Sequence, residues 1–186
     1  TDGAPWKTDL LQDLGVAPEQ LTERFFKPHW KEIVTGQKPI TPFLKEALAE
    51  IDAPVTAIDV MDYWFSQDAR LNVPLLRALQ GVRKAGAKVH FATNQEATRA
   101  RYLWQSLGLS RFADGMFTSA ELGCAKPDRM FFNEIVQCTQ APVCSHLLLD
   151  DTRANIAAAR NAGWCGHHWV AGDDLASVLN ERDVGF

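Results

Sequence analysis

None of the four cysteines, Cys124, Cys138, Cys144 and Cys165, stands in a C-x-x-C pair, and the five histidines are scattered. That spacing disfavours a zinc site and points to reduced thiols, as in a cytoplasm. No apolar stretch approaches the length of a membrane span, and no charged-then-apolar leader opens the chain, which starts Thr1-Asp2-Gly3-Ala4-Pro5. Neither sign of charge forms a run: 19 basic and 23 acidic residues leave a net charge of −4. A nucleic-acid or anionic-membrane footprint is therefore missing, and small soluble partners are favoured. No repeat and no low-complexity segment occurs. What is present is a hydrophobic fraction of 46% over 186 residues. That suffices to bury a sizeable core in one large domain, or in a domain with a small insert.

Two patterns divide the chain. From Trp6 to about Ser66 the apolar spacing is helical only, over 6–14, 19–34 with a kink or break at Pro28, 41–51 and 56–65. This stretch is rich in aromatics, including Phe25, Phe26, Trp30, Trp64 and Phe65, most of which are expected to form its own core. After Asn72, helices alternate with short apolar runs, the pattern of βαβ units around a parallel sheet. Helices are predicted over 74–85, 95–107, 127–138, 153–162 and 174–180, and strands over 88–92, 115–118, 147–149 and 166–170. Residues 6–71 are thus expected to be a small all-helical unit inserted near the amino terminus. Residues 1–5 and 72–186 are expected to form a doubly wound, Rossmann-like α/β core.

Chemistry gathers at three strand ends. Leu147-Leu148-Leu149 suits a strand buried on both faces, and Asp150 and Asp151 follow at its carboxyl end, where open α/β sheets bind ligands. Two adjacent carboxylates repel unless a cation lies between them, and their hard oxygens suit Mg²⁺. The bland reading is a solvated turn in which Thr152 caps the next helix. Thr93 and Asn94 end an earlier strand at a helix start whose free N–H groups attract phosphate, although Thr93 and Glu96 also have capping-box spacing. Lys126 lies in a loop before a helix, kept from helical geometry by Pro127. Hydroxyl, amide, cation and carboxylates on one sheet edge are the parts of phosphoryl transfer.

A phosphorylatable receiver domain also combines these groups, but there the acidic pair comes first. The order Thr93, Lys126, Asp150-Asp151 resembles instead the haloacid dehalogenase-like hydrolase superfamily, over essentially the whole chain, with the helical insert in the place of that family's cap. The resemblance implies that Thr93, with Asn94, holds the transferring phosphoryl group. It implies that Lys126 balances its charge, that Asp150 and Asp151 hold Mg²⁺, and that Asn155 supports their loop. Members that break carbon–halogen bonds work without metal and lack the acidic pair, so the resemblance implies Mg²⁺-dependent hydrolysis of a small phosphorylated metabolite through an aspartyl-phosphate, by a monomer or homodimer.

One family motif is missing: a buried strand ending in Asp-x-Asp, which supplies the nucleophile and the general acid/base. Thr1-Asp2-Gly3 resembles the turn after that motif, with Asp2 at the cap hinge, so the nucleophile is expected upstream of Thr1. Residues 1–186 alone are expected to be inactive. The missing strand would be the central one, flanked by the strands bearing Thr93 and Asp150. A pseudoenzyme or interaction module that keeps the fold without the chemistry is the alternative, with metal-free dehalogenation behind it.

Overall fold

The computed structural model describes residues 5–180, so Asp2 and its proposed hinge lie outside the described residues. The first five helices are α1 (Leu10–Leu14), α2 (Pro18–Leu21), α3 (Lys27–Val34), α4 (Ile40–Glu50) and α5 (Ala57–Asp68). A reciprocal capping box opens α5: Asp59 accepts from the Thr56 backbone N–H at 2.8 Å, and the Thr56 hydroxyl accepts from the Asp59 N–H at 3.3 Å. The break expected at Pro28 is instead a π-helical turn, Thr22–Phe26, that carries α2 directly into α3. The wider turn makes room for a ring that would collide with the preceding turn of a regular helix.

Helical spacing places Leu10, Leu21, Phe25, Ile33, Leu44 and Val60 in one fully buried cluster. Each such side chain stabilises the fold by about 1.5–3 kcal/mol. The aromatics pack on this cluster as expected, with Trp6 stacked on Trp64 at 5.1 Å.

The remainder alternates: α6 (Val73–Lys84), β1 (His90–Thr93), α7 (Ala97–Arg101), β2 (Gly115–Thr118), α8 (Ser119–Leu122), α9 (Arg129–Thr139), β3 (Leu147–Asp150), α10 (Arg153–Asn161), β4 (Cys165–His168) and α11 (Leu175–Asn180). β1 pairs in parallel with β2, His90 opposite Gly115, and β3 pairs in parallel with β4, Leu147 opposite Cys165. Each pair is joined through helices, as a parallel crossover requires. Among the described residues these pairs form two separate two-stranded sheets, so the parallel sheet read from the sequence is present in two pieces.

The carboxyl ends of β1 and β3 meet at Lys126, which binds both Ala92 and Asp150. At the opposite ends His90 and His146 line one and the same cavity. β1 and β3 therefore run in the same direction, facing one another across a cavity of about 1030 Å³ that both strands line along their length. Among the described residues, no helix is long and apolar enough to cross a membrane. All four cysteines are free thiols.

The first five helices dock on the second part through α8. The Ser119 hydroxyl, fully buried, donates to the Val34 carbonyl at 2.6 Å. Gly36, at φ +72°, lies so close that an added Cβ would stand 2.2 Å from the Ala120 carbonyl oxygen. Gly36→Ala is expected to lower stability by at least the 1–3 kcal/mol (about) that a strained backbone angle costs. Urea denaturation checks this, and an unchanged midpoint would contradict the close docking.

Candidate active site

Lys126 is the hub of the site. Its ammonium donates to the Ala92 carbonyl at 2.6 Å and to Asp150 Oδ2 at 2.5 Å, bridging the ends of β1 and β3. The Lys126 and Asp150 side chains are only 9% and 6% exposed. A lone loop lysine is usually solvated, and Lys126 is not. Asn94 explains why: its amide oxygen accepts from the Lys126 backbone N–H at 2.8 Å, and its amide nitrogen donates to the Lys126 carbonyl at 2.8 Å. This two-point clasp fixes the loop backbone, so the lysine stem enters the sheet edge. The Asn94 carboxamide is engaged by that clasp, which makes Asn94 a positioning residue through its side chain.

Asp150 is held from three sides. Beyond Lys126, its Oδ1 accepts from the Thr152 N–H at 2.8 Å and from the Asn155 amide at 3.0 Å, and Asn155 is itself buried. Burial alone would raise the Asp150 pKa; the Lys126 ammonium, with help from Asn155 and the Thr152 N–H, outweighs it and holds the carboxyl below the usual carboxylate value. Because the folded pKa is the lower one, this carboxylate contributes stability that is full above the unfolded value, about 3.9, and is lost as pH falls through the folded value. Acid unfolding of the parent is therefore expected to steepen below about pH 4. In Asp150→Asn that component should vanish, and identical acid limbs in circular dichroism would contradict the assignment.

Asp151 is exposed, its Oδ1 accepting from the Thr152 hydroxyl at 3.3 Å. Thr152 occupies the N-cap position of α10, yet its hydroxyl makes no cap bond and turns to Asp151. The expected Thr152 cap is thus corrected: the nearby carboxylate competes for the hydroxyl. The Thr93–Glu96 capping box is corrected too. Glu96, 2% exposed, is itself the N-cap of α7 and accepts from the Thr98 N–H at 2.7 Å and from the Arg99 N–H. The chain continues extended past Thr93, so the helix starts three residues later and Thr93 stays at the strand end, opposite Thr118.

No group of three or more His, Cys, Asp or Glu side chains placed to share a metal occurs among the described residues. Mg²⁺ does not require one, since it keeps several waters and takes one or two protein carboxylates together with substrate phosphate. The open Asp151 carboxylate, beside the anchored Asp150, fits that pattern.

Two contacts had no signal in the sequence. The Ala92 carbonyl is backbone, invisible to residue type. Arg99, 8% exposed, joins the two parts of the molecule by pairing with Asp68 at 2.8 Å and Gln95 at 3.0 Å, with its guanidinium 5.5 Å from the Trp64 ring. Its partner on α5 is too distant in the chain for local spacing to reveal.

Residues 6–163 match the family model of the haloacid dehalogenase-like hydrolases. Phosphatase MT3486 of Mycobacterium tuberculosis is 32% identical over 134 residues, 68% of this chain and 59% of that protein. The sesquiterpene phosphatase astK of Aspergillus oryzae is 31% identical over 117 residues, 63% of this chain and 57% of that protein. The chain thus spans less than two thirds of the length of these curated relatives. Among solved structures, a HAD family enzyme of Bacteroides thetaiotaomicron in complex with magnesium and inorganic phosphate superimposes with a TM-score of 0.74 at 15% identity, over 87% of this chain and 85% of its own. A predicted HAD-like hydrolase of Porphyromonas gingivalis gives 0.74 at 19%, over 93% and 87%. These two likenesses establish the shared fold. By the extent of its family match, the chain belongs to the haloacid dehalogenase-like hydrolases.

Proposed function

We propose that this chain is the phosphate-binding and metal-binding part of a Mg²⁺-dependent phosphatase acting on a small phosphorylated metabolite. The observation that carries the reading is the Lys126 ammonium, fixed across the carboxyl ends of β1 and β3 by Ala92 and Asp150. A buried, preorganised cation at a strand-end cleft stabilises charge on a transferring phosphoryl group without reorganising. In this reading Thr93 and the backbone N–H groups after β1 hydrogen-bond the phosphoryl oxygens, and Asn94 positions Lys126. Asp151, with Asp150 behind it, would hold Mg²⁺, which when bound supplies Lewis-acid stabilisation of the phosphoryl oxygens. Asn155 keeps Asp150 oriented. The helical unit of residues 6–71 serves as a cap over the cleft.

Both curated relatives are named phosphatases, which supports ester hydrolysis over dehalogenation. In the family's reaction an aspartate attacks phosphorus, giving an aspartyl-phosphate that water then cleaves; Lys126, Asp150 and Asn155 are engaged with one another here. In this reading the attacking carboxylate is that of the family's Asp-x-Asp motif, which residues 1–186 do not contain. Small soluble phosphate esters and the reduced thiols favour a cytoplasmic setting, as monomer or homodimer.

The test uses p-nitrophenyl phosphate. A chain extended upstream by an apolar strand ending in Asp-x-Asp should release nitrophenol with Mg²⁺ and stop when the metal is chelated, while residues 1–186 alone should not. Halide release from a 2-haloacid without metal would overturn the reading. An extended chain that binds phosphate but never turns over the ester would favour the interaction module.

A further inference from the structure

The carboxyl end of β4 closes on the acidic loop. In the parallel ladder His168 stands opposite Asp150, so the two side chains share one face of the sheet at the edge of the site. Two groups from this strand end reach the backbone of the loop: the Trp169 N–H donates to the Asp150 carbonyl at 2.9 Å, and His168 Nε2 meets the Asp151 carbonyl at 2.9 Å. A carbonyl only accepts, so Nε2 carries the proton and donates. At the other end of that same peptide unit the Thr152 N–H donates to Asp150 Oδ1 at 2.8 Å. Asp151 is therefore flanked by two anchored peptide planes, the one before it held by Trp169 and the one after it by His168 and Asp150. The strand end is itself braced: His167, on the opposite face, and the Val170 N–H both bond Asp173 Oδ2 at 2.9 Å, which ties down the turn after β4. The Asp151 carboxylate, by contrast, is exposed and among the described residues takes one hydrogen bond, from the Thr152 hydroxyl at 3.3 Å. Its aim is set by the backbone beneath it.

We infer that His168 is a positioning residue for the divalent cation: by donating to the Asp151 carbonyl it fixes the direction in which the Asp151 carboxylate is offered, before the metal arrives. The inference rests on the reading of Asp151 as a Mg²⁺ ligand. Ordering the backbone of a ligand in advance removes that entropy cost from binding. Partners that orient a metal ligand are typically worth roughly 10–100-fold in affinity. The role depends on a donor and not on charge, because the imidazolium and the neutral ring protonated at Nε2 both donate from that nitrogen. A glutamine amide offers a donor at nearly the same reach. Leucine fills the space and offers none.

The experiment compares His168→Leu, His168→Gln and Asp151→Asn with the parent, all in the strand-extended chain. Calorimetric Mg²⁺ affinity should fall about tenfold in His168→Leu, return to within about twofold of the parent in His168→Gln, and fall further still in Asp151→Asn. Without metal, amide hydrogen exchange at Thr152 should quicken in His168→Leu and slow again in His168→Gln, while the amides of β1 and β2 keep their parent rates. Parent affinity in His168→Leu beside a loss in Asp151→Asn would overturn the inference and leave the phosphatase reading standing. Equal losses in the leucine and glutamine variants would mean that the imidazole acts by its shape, and faster exchange across the whole fold would mean that it only holds structure; either result overturns the inference. Unchanged affinity in Asp151→Asn would instead remove the metal reading, and the inference with it.

Discussion

Replacing Lys126 with alanine is expected to cost about 3–5 kcal/mol of stability and about 10²–10³-fold in phosphate-ester turnover. Both losses have one origin. Lys126 and Asp150 are a nearly buried pair, and removing one partner leaves the other's charge uncompensated in a low-dielectric site. A sequence reading of Lys126 as an exposed loop cation leads to a different expectation, lost turnover with melting nearly unchanged, because an exposed charge contributes little to folding. The burial reverses the second half of that expectation. A double variant separates the roles: Lys126→Met with Asp150→Asn removes both buried charges together, while the new amide oxygen can still accept from the Thr152 N–H and the Asn155 amide. Its melting temperature should recover most of the loss while turnover stays low. Recovery of turnover along with stability would mean that Lys126 only holds the fold together.

Asp151→Asn should have the opposite signature. The Asp151 carboxylate is exposed and carries little of the fold, so melting should move by less than about 0.5 kcal/mol, as for surface changes generally. Mg²⁺ affinity, measured by calorimetry on the extended chain, should fall by more than the roughly 10–100-fold that changes behind a metal ligand typically cost. Asp150→Asn should lower both quantities, because Asp150 serves Lys126, Thr152 and Asn155 at once. Unchanged affinity in both variants would remove the acidic pair from the metal role.

The elements that periodicity governs were legible in the sequence. Residues 115–118 were read as a strand and form β2 over Gly115–Thr118, and the Leu147–Leu149 run extends by one residue to Asp150 in β3. Gly86, Gly108 and Gly163 all take positive φ where a helix end was read. Local competition was not legible. Whether Thr152 bonds the helix or Asp151, and whether Thr93 or Glu96 caps α7, depends on hydrogen bonds of similar strength settled by backbone direction. Long-range contacts were hidden for another reason. Lys126 is buried because Asn94, thirty-two positions earlier, clasps its backbone, and nothing in the loop's own residues announces that. The motif order still located the site, since Thr93 and Asp150 end or follow strands and Lys126 precedes a helix whose types periodicity fixed.

The most direct measurement is single-turnover hydrolysis of p-nitrophenyl phosphate by the strand-extended chain, with and without Mg²⁺, beside its Lys126→Met, Asp150→Asn counterpart. The account predicts Mg²⁺-dependent nitrophenol release from the first and at least about a hundredfold slower release from the second at matched folding. Equal rates from the two proteins, or robust Mg²⁺-dependent turnover by residues 1–186 alone, would contradict it.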